Sequence, residues 1–295
     1  MPYQLSRISL GIKKIEKKID IDSTLEINDI CYVPDFGVVL VMKKHHCLGL
    51  INNKNKIDIP WKGQIGQEGN DYGSDPLFSY PSSICYNPLR KVIYVIENGG
   101  KYFKQIEMST SLVYTSLLLN KIILKSIMPY FDKISNTELF DTSCSSSKHG
   151  EFYWCVKELN RCFRFDVDGS NLSSFIGNGR SGFSVSTKLK DNIMNHPSGI
   201  VCVENEIYIS DTENHCIRKK KNNFLEVASG SPNSENGVWN NPSKICFDNN
   251  LFYIRDKTKI KCWQENKDVI DVYESDKMVS FDVDRKKTII VLEKI

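Results

Sequence analysis

The stretch HPSGIVCVENEIYISDTENHCIRK, residues 196–219, decides the fold because it forms one self-contained repeat unit. A Pro-initiated turn leads into an alternating strand, and a charged break separates it from a second strand that ends at Asp211. A short turn then leads into a third strand. Alternation of apolar and polar side chains is typical of a strand with one face buried. The stretch therefore predicts short antiparallel strands joined by tight turns.

Copies of this unit recur along the chain. The segment 207–218 aligns without gaps with 93–104 and with 38–49, one extra residue brings 152–164 into line, and a shortened turn does the same for 252–261. The equivalent apolar residues are Leu48, Phe103, Phe163, Ile217 and Ile260. Repeats of roughly 40 to 50 residues with several short strands each are typical of a β-propeller, in which one repeat forms one four-stranded blade.

Both ends of the chain carry half a blade. Residues 278–284 and 288–295 supply only two strands at the C-terminal end, and 4–10 and 12–19 are strand-like without a local partner. Pairing the two ends completes a sixth blade and leaves no open edge in the ring. We therefore predict an all-β, six-bladed β-propeller of four-stranded antiparallel blades, closed by the N-terminal strands pairing with the C-terminal strands.

This architecture accounts for the chain as a single domain over residues 1–295. Residues 1–22 complete the last blade, and the region 109–136, too long for a simple connection, is predicted to be an insertion between blades. No segment has the continuous apolar run of a signal peptide or a transmembrane helix. We therefore expect a cytoplasmic protein with no membrane partner.

The composition excludes few functions. The chain has 39 basic and 36 acidic residues and a net charge of +3, so it has no general tendency to bind DNA or anionic membranes. The turns on one face of the propeller contain Lys43 and Lys44, but 219–221 place lysines on the other face. Basic residues are thus predicted on both faces, whereas an RNA-binding surface would concentrate them on one.

The ten cysteines have no CxxC or CxxH spacing that would indicate a metal site. Cys31, Cys85, Cys202 and Cys246 fall at similar places in four apolar strands, DICYV, SSICY, GIVCV and SKICF. A cysteine used once per repeat is best explained as a small core hydrophobe. We therefore predict free thiols packed in the blades.

Three pieces of the opening stretch, 197–200, 207–212 and 214–218, resemble an NHL repeat. This copy is nearly complete, whereas the other blades are divergent. The resemblance implies a six-bladed propeller that acts as a binding platform. Since no zinc-ligand spacing or further domain remains once the blades are assigned, we expect a stand-alone propeller. Members of the family include RNA-binding and protein-binding domains of larger proteins, and a minority are metal-dependent lyases or relatives of lactonases.

The polar residues of the repeat motif are interpreted as structural. Asp211, Asn214, His215 and Arg218 lie at the hairpin between the second and third strands, where polar side chains commonly bind backbone groups. The motif also recurs in degraded form in several blades. A single functional site would not recur in this way.

The resemblance also implies where lyase chemistry would reside. The lyase branch of the family places His directly after the Pro of the loop before each blade, whereas this chain has Ser82, Ser198 and Ser243 there. Its nearest histidine, His196, precedes the proline. We therefore expect no catalytic residues, no metal site and no cofactor.

The leading hypothesis is a non-catalytic binding scaffold that binds protein or peptide through the face formed by the inter-blade loops. RNA binding stays open as one alternative, and a metal-dependent lyase or lactonase-like enzyme as another. The candidate surface residues are Lys43, Lys44, His45, His46, Tyr80, Ser82, His196, Ser198, Asn241 and Ser243.

Overall fold

The computed structural model shows six four-stranded antiparallel sheets, which are the blades of a propeller. This confirms the predicted all-β fold. The structure describes residues 2–9, 14–21, 24–98, 102–110, 112–114, 142–147, 150–166, 173–232, 234, 237–284 and 288–295. Most of the insertion predicted at 109–136 lies outside these residues.

The first three blades follow one another in the chain, each with its strands in sequence order. Blade 1 contains β3 (Asp29–Val33), β4 (Gly37–Met42), β5 (Cys47–Asn52) and β6 (Ile57–Gly63). Blade 2 contains β7 (Pro81–Asn87), β8 (Val92–Glu97), β9 (Tyr102–Glu107) and β10 (Val113–Tyr114). Blade 3 contains β11 (Thr142–Ser146), β12 (Glu151–Val156), β13 (Arg161–Asp166) and β14 (Ser173–Ile176).

The remaining blades complete the ring. Blade 4 contains β15 (Pro197–Val203), β16 (Glu206–Asp211), β17 (Cys216–Lys221) and β18 (Phe224–Gly230). Blade 5 contains β19 (Pro242–Asp248), β20 (Leu251–Asp256), β21 (Lys259–Trp263) and β22 (Ile270–Glu274). Blade 6 combines β23 (Met278–Asp284) and β24 (Thr288–Lys294) with β1 (Tyr3–Ser9) and β2 (Lys14–Ile21).

Blade 6 closes the ring as predicted. Strand β24 pairs with β1 in antiparallel register, from Tyr3 opposite Lys294 to Ser9 opposite Thr288. Leu5 of β1 is buried in the same apolar cluster as Leu40 of blade 1, so the N-terminal strands also seal the junction with the next blade. The two ends of the chain therefore close the propeller through hydrogen bonds and apolar packing.

Apolar packing between neighbouring blades forms the core. The second strands of the blades are largely apolar because a neighbouring blade covers each of their faces, and all six residues of β4 and of β8 are buried. Between blades 2 and 3 the contact is aromatic. The rings of Phe103 and Phe165 lie 4.7 Å apart, and those of Tyr94 and Phe152 lie 5.3 Å apart.

A single 3₁₀ turn joins the second and third strands in blades 1, 3 and 4. The residue after each turn has a positive φ, and its side chain contacts the neighbouring loop. The turns are Lys43–His45, Lys157–Leu159 and Thr212–Asn214, followed by His46, Asn160 and His215 with φ of 55°, 50° and 54°.

None of the helices in the described part of the chain is long and apolar enough to span a bilayer.

The structure corrects the sequence alignment of blade 3 by one residue. Ile217 pairs with Ser210, the penultimate residue of β16, and the penultimate residue of β12 pairs with Cys162 rather than with Phe163. The turn of blade 3 has the same length as that of blade 4, so no extra residue is inserted there. Aligning Cys162 with Cys216 was wrong, because cysteine is used at both adjacent positions.

All ten cysteines are free thiols, as predicted, and each lies among the described residues. Cys31, Cys85 and Cys246 occupy equivalent register positions in the first strands of their blades. Cys202 lies one residue further along, because the residue at the equivalent position of blade 4 is Val201. The expected four-fold equivalence of the cysteines therefore holds for three of them.

Candidate functional site

The first strands of the six blades surround a central channel with a volume of about 1100 Å³. Its wall consists largely of short side chains with hydroxyl or thiol groups. The channel has two ends. The inter-blade loops and the turns between second and third strands form one end, called here the loop face, and the turns between first and second strands form the opposite face. The thiols on the wall are Cys31, Cys85, Cys144, Cys202 and Cys246.

Four of these thiols, those of Cys31, Cys85, Cys202 and Cys246, are protonated at neutral pH. Burial raises the pKa of Cys31, Cys85 and Cys246 well above that of a free thiol. Burial also raises the pKa of Cys202 to about 12. The thiolate is the form that attacks electrophiles and binds metals. These four thiols are therefore poor nucleophiles and poor metal ligands at neutral pH. The cysteines act as small wall residues.

One charged cluster lies in the wall between blades 5, 1 and 6. The Lys244 ammonium donates to Asp29 Oδ1 at 2.5 Å and to the Ser280 hydroxyl at 3.2 Å. Asp282 accepts the Tyr32 backbone N–H at 2.7 Å. Burial alone would lower the pKa of Lys244, but Asp29 and Asp282 raise it above its ordinary value. Lys244 is therefore positively charged, and its ammonium group is hydrogen-bonded within the cluster.

Sequence reasoning missed this cluster because its members come from three separate blades. A signal was nevertheless present. Lys244 stands two residues after the proline of its blade, where other blades have Ser83 or Gly199. Asp282 stands at the register position that Cys85 holds in blade 2. Charged residues on the inner strands, at positions where other blades have small residues, indicate that the charges are buried and paired.

The structure brings seven of the ten predicted surface residues to the channel. Their hydroxyl groups are bonded within the wall rather than to an adjacent base. The Ser82 and Thr142 hydroxyls lie 2.7 Å apart, and the Ser198 and Thr212 hydroxyls lie 2.5 Å apart. Ser243 donates to a backbone carbonyl at 3.3 Å. The seven channel-lining residues are Lys43, Lys44, Tyr80, Ser82, Ser198, Asn241 and Ser243.

The three predicted histidines do not line the channel. His46 is buried, and its Nδ1 accepts the backbone N–H of Tyr80 at 3.3 Å. Its burial lowers the pKa of the ring below the usual value. His196 lies outside the channel with its ring 2.8 Å from Glu213, and His45 lies on the turn of blade 1. His46 therefore joins blade 1 to the loop before blade 2.

Basic residues surround the channel at the loop face. Lys44 lies 3.0 Å from Glu26. The guanidinium of Arg255 donates to the carbonyls of Met278 at 2.8 Å and Val279 at 2.6 Å, which fixes it between blades 5 and 6. We call this group the cationic rim. Its members are Lys43, Lys44, Lys157, Arg255 and Lys257.

The opposite face of the channel has the opposite charge. Glu204, at the turn between β15 and β16, and Asp248, at the end of β19, line this end. Sequence reasoning predicted basic residues on both faces, and Lys219 does belong to the second face. It is held there by Glu206 at 2.8 Å and Glu265 at 2.7 Å. The two ends of the channel wall are therefore unlike in charge.

The repeat motif of blade 4 forms a buried clamp on the loop that precedes this blade. The Asp211 carboxylate accepts hydrogen bonds from the Asn195 backbone at 2.7 Å, the Asn214 amide at 2.9 Å and Arg218 at 3.2 Å. Arg218 also donates to the Ser184 carbonyl at 2.9 Å. Burial raises the pKa of Asp211 to about 6 despite these lowering contacts. All these contacts are within the fold.

Two other blades contain the same clamp with different residues. In blade 2, Glu97 pairs with Lys104 at 3.1 Å, and Lys104 also donates to a carbonyl of the preceding loop. In blade 5, Asp256 pairs with Lys261 at 2.5 Å. The sequence indicated that blade 2 keeps Glu97 and Lys104 from the motif, but their pairing was not predicted, and the copy in blade 5 was missed. The available signal was an acidic residue at the end of the second strand followed by a basic residue in the third.

The described residues contain no group of three or more His, Cys, Asp or Glu side chains arranged to hold a metal ion. His215, which the motif places next to the clamp, contacts the carbonyl of Asn240 in the loop before blade 5. The backbone N–H of His196 donates to Asn160 at 2.8 Å in the corresponding place one blade earlier. These positions fasten the blades to one another.

Residues 194–219 match the family model of the NHL repeat. The match covers the loop end and first three strands of blade 4, which is one of six four-stranded blades. The chain is a six-bladed propeller that contains an NHL repeat in blade 4. No curated protein sequence matches this chain.

Solved structures share its fold over nearly the whole chain. A catalytically inactive virginiamycin B lyase from Staphylococcus aureus with quinupristin is 13% identical, with a TM-score of 0.57 over 99% of this chain and 88% of the lyase. An auxiliary nutrient binding protein from Bacteroides thetaiotaomicron is 13% identical, with a TM-score of 0.56 over 96% of this chain and 63% of that chain. A chain of the nidogen/laminin complex is 10% identical, with a TM-score of 0.55 over 92% and 93% of the two chains. Identities this low show the common fold alone.

Proposed function

We propose that this propeller is a non-catalytic binding platform that takes a protein or peptide segment into the loop-face end of its channel. One observation carries the proposal: residues from blades 1, 2, 4 and 5 that sequence reasoning assigned to separate loops line a single cavity. Ligand sites are typically concave and largely preformed, with a few polar groups that fix orientation. This end of the channel fits that description.

The arrangement of polar groups supports binding rather than catalysis. A nucleophilic serine needs an adjacent base within hydrogen-bond reach. Ser198 instead pairs with the hydroxyl of Thr212, and Ser82 pairs with that of Thr142. The lyase branch of the family has histidine at these places. Hydroxyl pairs with no titratable partner give a neutral surface that can exchange hydrogen bonds with a ligand backbone.

The dimensions of the channel also favour a peptide segment. Its volume of about 1100 Å³ lies just above the range of pockets that hold single small ligands. The loops around its mouth differ in sequence from blade to blade, and loops on a rigid scaffold commonly carry binding specificity. A segment that enters the channel while its flanks lie on these loops would use both features.

The test blocks the channel mouth. Ser198 lines the channel, so a Ser198→Trp variant places a large ring where the segment would enter. The matched control is Glu226→Trp, at an exposed position on the outer strand β18. Wild type and both variants are used to capture partners from the cells that produce the chain, and the captured proteins are quantified by mass spectrometry.

We expect partners that wild type and Glu226→Trp retain and that Ser198→Trp loses. Equal capture by all three proteins, or capture of nothing by the wild type, would contradict the proposal. Circular dichroism and thermal unfolding show whether Ser198→Trp keeps the fold, and a smaller Ser198→Val change, which removes only the hydroxyl, is expected to weaken capture less.

A further inference from the structure

We infer that the partner segment recognised by the cationic rim is acidic, a stretch rich in Asp and Glu. This inference rests on the proposed binding function and names the chemistry of the partner. It starts from the charges that line the loop-face end of the channel. Blades 1, 3 and 5 each contribute at least one basic residue there, so positive charge surrounds the mouth from several sides.

The carboxylates near this end leave much of that charge available. Asp29 is occupied by Lys244 and Ser280 inside the wall. Within the described residues, neither Lys157 nor Lys257 forms an ion pair with a carboxylate. The contacts of Arg255 are with backbone carbonyls, which hold the guanidinium without cancelling its charge. The rim therefore presents cations that an incoming anion can neutralise.

The opposite face makes the channel directional. Glu204 and Asp248 line that end, so the charged residues at the two ends of the channel differ in sign. A cleft lined by charge of one sign raises the local concentration of ions of opposite sign. An acidic segment is therefore attracted to the loop face and repelled from the opposite face. Charge complementarity of this kind selects partners and accelerates their association.

The chemistry of the mouth favours a peptide over RNA as the anionic partner. Single-stranded RNA is bound by aromatic platforms on which several bases stack. Tyr80 is the one aromatic residue that the described inter-blade loops bring to the channel lining, and the ring of His46 packs against its side chain edge-on at 4.4 Å. A carboxylate side chain needs only a cation and hydroxyl donors. The cationic rim provides the cations, and the channel wall provides the hydroxyl groups.

The test measures binding of three fluorescently labelled peptides of equal length by anisotropy. The first alternates Glu and Ser, the second has Gln in place of Glu, and the third has Lys in place of Glu. The rim variant carries Lys157→Glu and Lys257→Glu. Its matched control carries Lys17→Glu and Lys18→Glu, which make the same change of charge on the exposed outer strand β2 of blade 6.

We expect the Glu peptide to bind the wild type and the control equally and to bind the rim variant about tenfold more weakly, since two reversed charges remove about 1.4 kcal/mol or more. Added salt should weaken Glu-peptide binding to the wild type. This measurement does not depend on any variant being folded. Binding of the Gln or Lys peptide as tight as that of the Glu peptide would overturn the inference. So would tighter binding of a single-stranded uridine oligomer, or equal losses in the rim variant and the control.

The outcomes separate this inference from the proposed function. If Ser198→Trp abolishes capture of a partner but the Glu peptide shows no preference for the wild-type rim, the acidic chemistry is wrong and the binding platform stands. If Ser198→Trp leaves capture unchanged, the platform itself is wrong, whatever the peptides do.

Discussion

Replacing Arg218 by Met while Asp211 stays in place should be among the most damaging single changes in blade 4. Both side chains are fully buried, and Arg218 is the only cation in contact with the Asp211 carboxylate among the described residues. Removing one partner of a buried ion pair typically costs about 3–5 kcal/mol, because the other charge is left without compensation. A folded domain has a stability of roughly 5–15 kcal/mol, so the loss is easily measured.

The double variant Asp211→Val with Arg218→Phe provides the matched comparison. Blade 3 already has Val156 and Phe163 at these register positions, so the fold accepts an apolar pair there. The double variant removes both charges and leaves chiefly the Asn195 backbone N–H without its acceptor. We expect it to lose about 1–3 kcal/mol, less than Arg218→Met alone.

The free energy of unfolding is measured by urea denaturation followed by circular dichroism. Because burial already raises the pKa of Asp211 to about 6, loss of Arg218 should raise it further. When a carboxyl has a higher pKa in the folded protein than in the unfolded chain, the protein loses stability as the pH rises through the folded pKa. The loss of unfolding free energy caused by Arg218→Met should therefore be larger at about pH 8 than at about pH 5. A double variant that loses as much stability as Arg218→Met, or more, would refute the clamp, because removing the second charge would then bring no relief.

Two further predictions concern the contacts between blades. Burial lowers the pKa of His46 from 6.5, so the unfolded chain gains a proton before the folded chain does, and stability should fall by up to about 1.4 kcal/mol per pH unit below 6.5. His46→Asn, which copies Asn160 at the equivalent place, should flatten this fall in thermal unfolding between about pH 7 and about pH 5, and an unchanged slope would count against the bond between His46 and Tyr80. Gly199→Ala should lose about 3 kcal/mol or more in urea denaturation, because the added Cβ would lie 2.1 Å from the Ser243 carbonyl oxygen in the next blade. A loss below about 1 kcal/mol would show that blades 4 and 5 separate more easily than their packing indicates.

The fold was largely predictable because one repeat is nearly intact. Residues 196–219 carry the turn, the strand alternation and the motif together, so the other blades could be aligned to them even where they diverge. The ring closure followed from counting strands at the two ends. The alignment failed by one residue at Phe163, where Cys162 was matched to Cys216. Pairing in β12 and β13, which the sequence does not reveal, decides that register.

The candidate site was predictable only where the repeat fixes its position. Ser82, Ser198 and Ser243 follow the proline that begins their blades, so their place at the channel mouth follows from the fold. The cluster of Lys244 with Asp29 could not be found in the same way. These two residues lie in blades 5 and 1, and only the arrangement of the ring brings them together.

The clamps in blades 2 and 5 illustrate a different obstacle. Glu97 with Lys104 and Asp256 with Lys261 perform the same role as the motif of blade 4, but their residue types differ from it. Glu can replace Asp and Lys can replace Arg in the clamp, because the loop needs only an acceptor for its backbone N–H and a donor for its carbonyl. Similarity of residue type therefore underestimates how much of the motif the other blades retain.

The most direct test of the central claim is partner retention by Ser198→Trp relative to Glu226→Trp. If a segment of the partner enters the loop-face end of the channel, the first variant loses the partners that the second keeps, while both unfold at the same temperature as the wild type. Retention of the same partners by a folded Ser198→Trp protein would contradict the claim that the channel mouth is the binding site.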